Sequence, residues 1–184
     1  MDIFLISVGA VALAEIGDKT QLLALVLAAR YRAPIPIILG ILLATTANHL
    51  VAAWLGVTAA GFLTDAVLRW IIAISFIGMA AWTLIPDKLD SEPRLGRNMG
   101  AFAATAISFF IVEIGDKTQI ATIALAAHYQ AVFTVGAGTT LGLMLANVPV
   151  IFIGGMAGNR VPMRLIRTIA ALIFLVLGVA ALIF

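Results

Sequence analysis

The sequence predicts an all-α integral membrane protein with six transmembrane helices, arranged as a 3+3 inverted-topology repeat. Three observations carry this. Of 184 residues, 63% are hydrophobic and 11% charged, against roughly 45–50% and about 25% in a soluble domain. The apolar residues fall into six runs, each at least the ~20 residues that a helix needs to cross a bilayer. Finally, the stretch EIGDKTQ at 15–21 returns letter for letter at 113–119 and divides the six runs into two sets of three.

The spans are expected at about 3–29, 34–60, 66–85, 99–127, 131–157 and 165–184. Their separators have the chemistry of turns. RYRAPIP (30–36) is charged and proline-rich, and Thr64 and Asp65 precede the third span. PDKLDSEPRLGRN (86–98) is the one long polar stretch, and HYQ (128–130) and GNRVPMR (158–164) mark the last turns. A closed barrel would need alternating strands of about ten residues, which the sequence lacks. The N-terminus, MDIFLISVGA, has no basic region of the kind that opens a cleavable signal peptide, and its apolar run continues into the first motif, so it is expected to be retained.

The two halves, 1–85 and 99–184, read as three-helix repeats joined by the linker 86–98. EIGDKTQLLALVLAARY (15–31) matches EIGDKTQIATIALAAHY (113–129) at an offset of 98, and Asn48 faces Asn147 at an offset of 99. The second span of each half carries small or polar residues every fourth position. These are Gly40, Ala44, Asn48, Ala52, Gly56 and Ala60, then Gly138, Gly142, Ala146, Gly154 and Gly158, broken by Val150. Such stripes let helix backbones approach closely in lipid. An odd number of spans per repeat inverts the second copy. With the N-terminus on one side, the opposite side collects Arg30, Arg32, Lys88, Arg94, Arg97, Arg160, Arg164 and Arg167, and the near side only Arg69. Basic residues favour the cytoplasm. The linker is therefore expected to be cytoplasmic and both termini extracytoplasmic.

Each motif sets two carboxylates and a lysine near the middle of a core about 30 Å thick. An ionisable group there costs at least ~2.5–3.5 kcal/mol, so six of them need a reason. On a continuous helix Glu15, Asp18 and Gln21 would share one face, as would Glu113, Asp116 and Gln119. Thr20 and Thr118 complete an all-oxygen ligand set, and Asn48 and Asn147 stand beside it. Lys19 and Lys117, each four residues after a glutamate, would neutralise one charge per motif. The two motifs together keep a net charge of about −2, which one divalent cation or two protons would cancel. Mutually exclusive binding of cation and proton is the minimum requirement for antiport. Oxygen ligands favour hard ions such as Mg²⁺, Ca²⁺ and Mn²⁺. His49 is a candidate ligand or proton acceptor inside a span, whereas His128 lies at a loop.

The composition also excludes. The chain has no cysteine, so disulfides, thiolate metal sites and iron–sulfur clusters are ruled out, and no cofactor is expected. No basic tract points to nucleic acid. Intrahelical ion pairs that only fix packing would leave Asp18, Asp116 and the verbatim repetition unexplained. An intramembrane hydrolase would need a nucleophile near the acids. Other readings are an exporter of small organic cations or amino acids, which needs an aromatic-lined cavity beside the acids, and a passive cation channel, which needs several chains around a pore. Trp54, Trp70 and Trp82 all lie away from the motifs in sequence.

Two copies of E-x-G-D-[KR]-[ST] in a six-span chain resemble the calcium/cation antiporter-2 family, which includes Golgi manganese/calcium–proton exchangers and bacterial manganese exporters. The resemblance covers nearly the whole chain. It implies a transporter, not an enzyme, in a bacterial inner membrane, exporting Mn²⁺, and Ca²⁺ as a further candidate, in exchange for protons. It also implies that Glu15, Asp18, Glu113 and Asp116 are the cation-binding acids. The expected partners are the divalent cation, protons and the lipid bilayer. Whether the chain works as a monomer or a homodimer is left open.

Overall fold

The computed structural model describes residues 2–85, 99–153 and 163–183. The linker 86–98, with Lys88, Arg94 and Arg97, and the positions Gly154, Gly158 and Arg160 lie outside the described residues. Eight helices are described: α1 (Asp2–Glu15), α2 (Lys19–Tyr31), α3 (Pro34–Ala60), α4 (Asp65–Thr83), α5 (Ala101–Glu113), α6 (Lys117–Tyr129), α7 (Val132–Ile153) and α8 (Met163–Ile183). No strand occurs among the described residues. Three helices are individually long and apolar enough to cross a membrane: Pro34–Ala60, Asp65–Thr83 and Val132–Phe152. Ala101–Glu113 and Arg167–Ile183 are shorter apolar helices.

The expected first and fourth spans are not continuous helices. Each is broken inside its motif. Gly17 and Gly115 have φ of +82° and +77°, values that glycine tolerates and other residues resist. Asp18 and Asp116 follow in extended conformation and cap α2 and α6, each accepting from the backbone N–H two residues on. Asp is among the strongest N-cap residues because its short side chain reaches those unpaired donors. Glu15, Asp18 and Gln21 therefore do not share one helical face, and neither do Glu113, Asp116 and Gln119. Both halves also end their second segment alike, with Arg32 and Gln130 in left-handed conformation at φ 50° and 52°. Their N–H groups close onto Ala28 and Ala126.

The small-residue stripes are the seams between halves. α3 lies along α5 and α6. A Cβ on Gly40 would stand 2.8 Å from the Phe102 carbonyl oxygen, and one on Gly56 would collide with that of Ile123. α7 lies along α1 in the same way, with Gly138 against Phe4 and Ser7 and Gly142 against Val8. Residue numbers rise together along both seams, so α3 runs parallel to α5–α6 and α7 parallel to α1. α4 and α8 pack on each other, with Phe76 stacked on Phe174 at 6.1 Å. Apolar side chains cover the outside, among them Trp54 at 57% exposure and Trp70 at 59%. A surface of this kind is satisfied by lipid tails.

The seams also correct one pairing of the repeats. Gly40 meets Phe102 and Thr105 as Gly138 meets Phe4 and Ser7, an offset of 98 throughout. The buried and exposed positions along α3 and α7 keep that offset through the next turns. His49, not Asn48, is therefore the counterpart of Asn147. The offset of 99 follows matching letters, whereas helical packing admits no slip of a residue within one turn.

Candidate cation site

The breaks bring four helix ends to one place. Glu15 ends α1, Asp18 begins α2, Glu113 ends α5 and Asp116 begins α6, and all four are buried. One carboxylate oxygen each from Glu15, Asp18 and Asp116 lies within 4.8 Å of the others. Two of these acids come from the first motif and one from the second, although they are about a hundred positions apart. The positive ends of the α2 and α6 dipoles point at the cluster and favour its negative charge.

The lysines pair across the halves. Lys19 Nζ lies 2.9 Å from Asp116 Oδ1, and Lys117 Nζ is paired with Asp18 Oδ1. The expected partner of each lysine, the glutamate four residues earlier, is replaced by the aspartate of the other motif. The helix break is the reason. It separates residues i and i+4 that a continuous helix would stack. The two pairs are not equally enclosed, since the Lys19 side chain is 26% exposed and that of Lys117 only 3%.

The threonines hold the glutamates. Thr20 Oγ1 donates to Glu15 Oε1. Thr118 Oγ1 lies 3.3 Å from both Glu113 Oε2 and Asp116 Oδ2. Asn147 Nδ2 donates to Glu15 Oε1 at 3.3 Å, so an amide from the second half reaches an acid of the first. One oxygen of each glutamate, Glu15 Oε2 and Glu113 Oε1, is buried without a protein partner among the described residues. Those lone pairs are available to a cation or a proton.

Other residues singled out in the sequence lie elsewhere. Gln21 Oε1 accepts from Gly17 N at 2.8 Å and its Nε2 donates to the Ala146 carbonyl at 2.8 Å. Gln119 Oε1 accepts from Gly115 N at 2.7 Å. Both glutamines thus close the helix breaks, and their carbonyl oxygens face backbone rather than the acids. Asn48 Nδ2 donates to the Phe110 carbonyl at 3.1 Å and ties α3 to α5. His49 is fully buried near the Thr139 carbonyl, with neither ring nitrogen in a well-formed hydrogen bond. None of Trp54, Trp70 or Trp82 is buried. Sequence reasoning missed the helix break, although Gly followed by Asp, a good N-cap, announces one.

Comparison with known proteins places the chain in a family. A family model described as "Divalent cation/proton antiporter GDT1" matches residues 3–91 and again 101–184, one match on each repeat. A protein of Vibrio cholerae serotype O1 named "Putative manganese exporter" is 55% identical over 181 residues, covering 98% of this chain and 90% of that protein. "GDT1-like protein 3" of Oryza sativa subsp. japonica is 32% identical over 105 residues, covering 53% of this chain and 37% of its own length. The Arabidopsis thaliana protein of the same name is 35% identical over 80 residues, covering 44% and 27%. No solved structure matches. The chain belongs to the GDT1 family of divalent cation/proton antiporters, which are membrane transporters and not enzymes.

Proposed function

We propose that the two motifs form one cation site, and that the chain exports a divalent cation, Mn²⁺ foremost and Ca²⁺ next, from the cytoplasm in exchange for protons. The observation that carries this is the convergence of Glu15, Asp18 and Asp116, three buried carboxylates drawn from both motifs. With Glu113 there are four acids and two lysines, so the charge left over matches one divalent cation or two protons. A cation entering between the aspartates takes over the neutralising role of the lysines, which swing aside. When it leaves, protons and lysines return. Cation and proton compete for the same oxygens, so apparent affinity for the cation weakens as pH falls. The all-oxygen donor set suits Mn²⁺, Ca²⁺ and Mg²⁺, and the name of the Vibrio cholerae relative favours the first.

The membrane arrangement in this reading is six spans in two inverted repeats, with α1–α2 and α5–α6 each serving as one broken span. The duplicated breaks and caps support it, and so do the parallel seams, α3 with α5–α6 and α7 with α1. The excess of basic residues places the 86–98 side in the cytoplasm and both termini outside, in a bacterial inner membrane. Broken spans whose half-helix ends meet at the midplane are a common way to build an ion site in secondary transporters. An organic-cation exporter is disfavoured because none of the three tryptophans faces the acids.

The test is transport in proteoliposomes with Mn²⁺, Ca²⁺ and Mg²⁺, with and without a pH gradient. The expected result is Mn²⁺ flux that a proton gradient drives and that acidification of the cation-binding side slows. Flux of the same size with no proton movement would overturn antiport and favour a channel.

A further inference from the structure

A second set of buried polar groups leads away from the acids along the crossing of α3 and α7. Thr45 and His49 are four apart and share one face of α3, while Gly136, Thr140 and Asn147 share one face of α7. The two faces meet. A Cβ on Gly136 would stand 2.7 Å from Leu50, and His49 lies near the Thr139 carbonyl. Because the helices run antiparallel here, descending from His49 to Thr45 on α3 accompanies the passage from Thr139 to Asn147 on α7. Asn147 in turn touches Glu15.

Four atoms along this column are buried without a protein partner among the described residues: Thr140 Oγ1, Thr45 Oγ1, Asn147 Oδ1 and Glu15 Oε2; the His49 ring has only the Thr139 carbonyl beside it. Buried hydroxyls in helices have an easy alternative, the carbonyl four residues back. Ser7, Thr122 and Thr139 take it, whereas Thr45 and Thr140 do not. A buried polar group left unpaired costs several kcal/mol on the harshest scales, and such groups are ordinarily met by water. Tyr31, Thr83, Thr105, Ser108 and Glu113 also have a buried polar atom without a partner among the described residues, and they lie on α2, α4 and α5, not on α3 or α7. The opposite end of the crossing is different. The offset of 98 carries Thr45 onto Leu143, Thr139 onto Ile41 and Thr140 onto Leu42, all apolar.

We propose that this column is a one-sided aqueous conduit. It admits water and hydrated protons to Glu15 from the end of the bundle where α3 finishes and α7 begins, which the basic-residue split places outside. The role of Glu15 as the acid at its inner end rests on the proposed exchange function; the existence of the conduit does not. The chain has no cysteine of its own to confuse a labelling test.

The experiment uses full-length Thr140→Cys and Ile41→Cys in right-side-out vesicles, with a small membrane-impermeant methanethiosulfonate applied on either side. Thr140→Cys is expected to be modified from outside at least about tenfold faster than Ile41→Cys, as a hydrated against a dry position. Equal rates would overturn the conduit, and faster modification from inside would overturn its direction. Thr45→Val, which keeps the shape and removes the hydroxyl, guards against a folding defect in the cysteine variant. It should slow proton-coupled Mn²⁺ flux roughly tenfold with Mn²⁺ binding in detergent unchanged. Unchanged flux would also count against the conduit. Loss of Mn²⁺ binding by the unmodified protein would instead sink the exchange function while leaving the labelling result to stand.

Discussion

The two motifs are identical in sequence but not in surroundings. In the second, Lys117 is enclosed with Asp18, and the glutamate of that motif, Glu113, is held by Thr118 alone among the described residues. In the first, Lys19 is partly open beside Asp116, and Glu15 is held by Thr20 and by Asn147 of the other half. Identical letters therefore do not impose identical states. Two copies of one motif sit in one chain with different neighbours; if the repeats are inverted as proposed, the difference is the one alternating access needs, with one lysine pair closed while the other admits solvent. In this reading the opposite-facing state exchanges the two environments, so that Lys19 becomes enclosed and Lys117 opens.

The comparison is most exposed to removal of a lysine. Lys117→Ala leaves Asp18 buried with a major counter-charge gone, a loss of about 3–5 kcal/mol when a buried pair is broken. Lys19→Ala opens a partly solvated pair and costs less, about 1 kcal/mol. Thermal unfolding of both variants in detergent checks this, and added Mn²⁺ should restore most of the loss in Lys117→Ala. Both variants are expected to bind Mn²⁺ at least as well as the parent and to turn over poorly. Equal destabilisation would mean that the asymmetry has no energetic content. Loss of Mn²⁺ binding would mean that the lysines build the site rather than compete with its cargo.

The seams come next. Gly56→Ala puts a methyl group against the Ile123 backbone, and Gly142→Ala puts one 2.6 Å from the Val8 carbonyl oxygen. Backbone cannot yield as a side chain does, so each should cost about 1–3 kcal/mol. If the seams are the sliding surfaces between the halves, both should also slow transport, measured as flux per folded protein. A variant that unfolds easily yet transports normally would separate packing from motion.

The smallest effect is expected at the helix breaks. Gln21 ties Gly17 to the Ala146 carbonyl, whereas Gln119 shows only the bond to Gly115 among the described residues. Gln21→Ala should cost about 1–1.5 kcal/mol and Gln119→Ala about half that, read from denaturation midpoints. The reverse order would show that the second break carries more of the site.

Much of the helical pattern was legible. The α3 boundaries follow from Pro34 and Pro36 in the first turn and Gly61 just past the end, and α4 begins at Asp65 because Thr64 and Asp65 interrupt the apolar run. The breaks were not read, because hydropathy runs straight through EIGDKTQ and a left-handed glycine leaves no mark on it. The choice of acids was legible from their cost in a membrane. Their lysine partners were not, since spacing of four offers a local partner and only the meeting of the halves supplies the true one. Asn147 was paired with the wrong counterpart because Asn48 and Asn147 match by letter, while packing follows the glycines and sets His49 opposite it.

The claim on which the rest depends is that two motifs make one site. Titration of the purified protein with Mn²⁺, following bound metal per chain, tests it most directly. The account predicts one ion per chain, and loss of that ion in Asp18→Asn and in Asp116→Asn alike, with each variant still folded. Two ions per chain, or full binding retained by either variant, would contradict it.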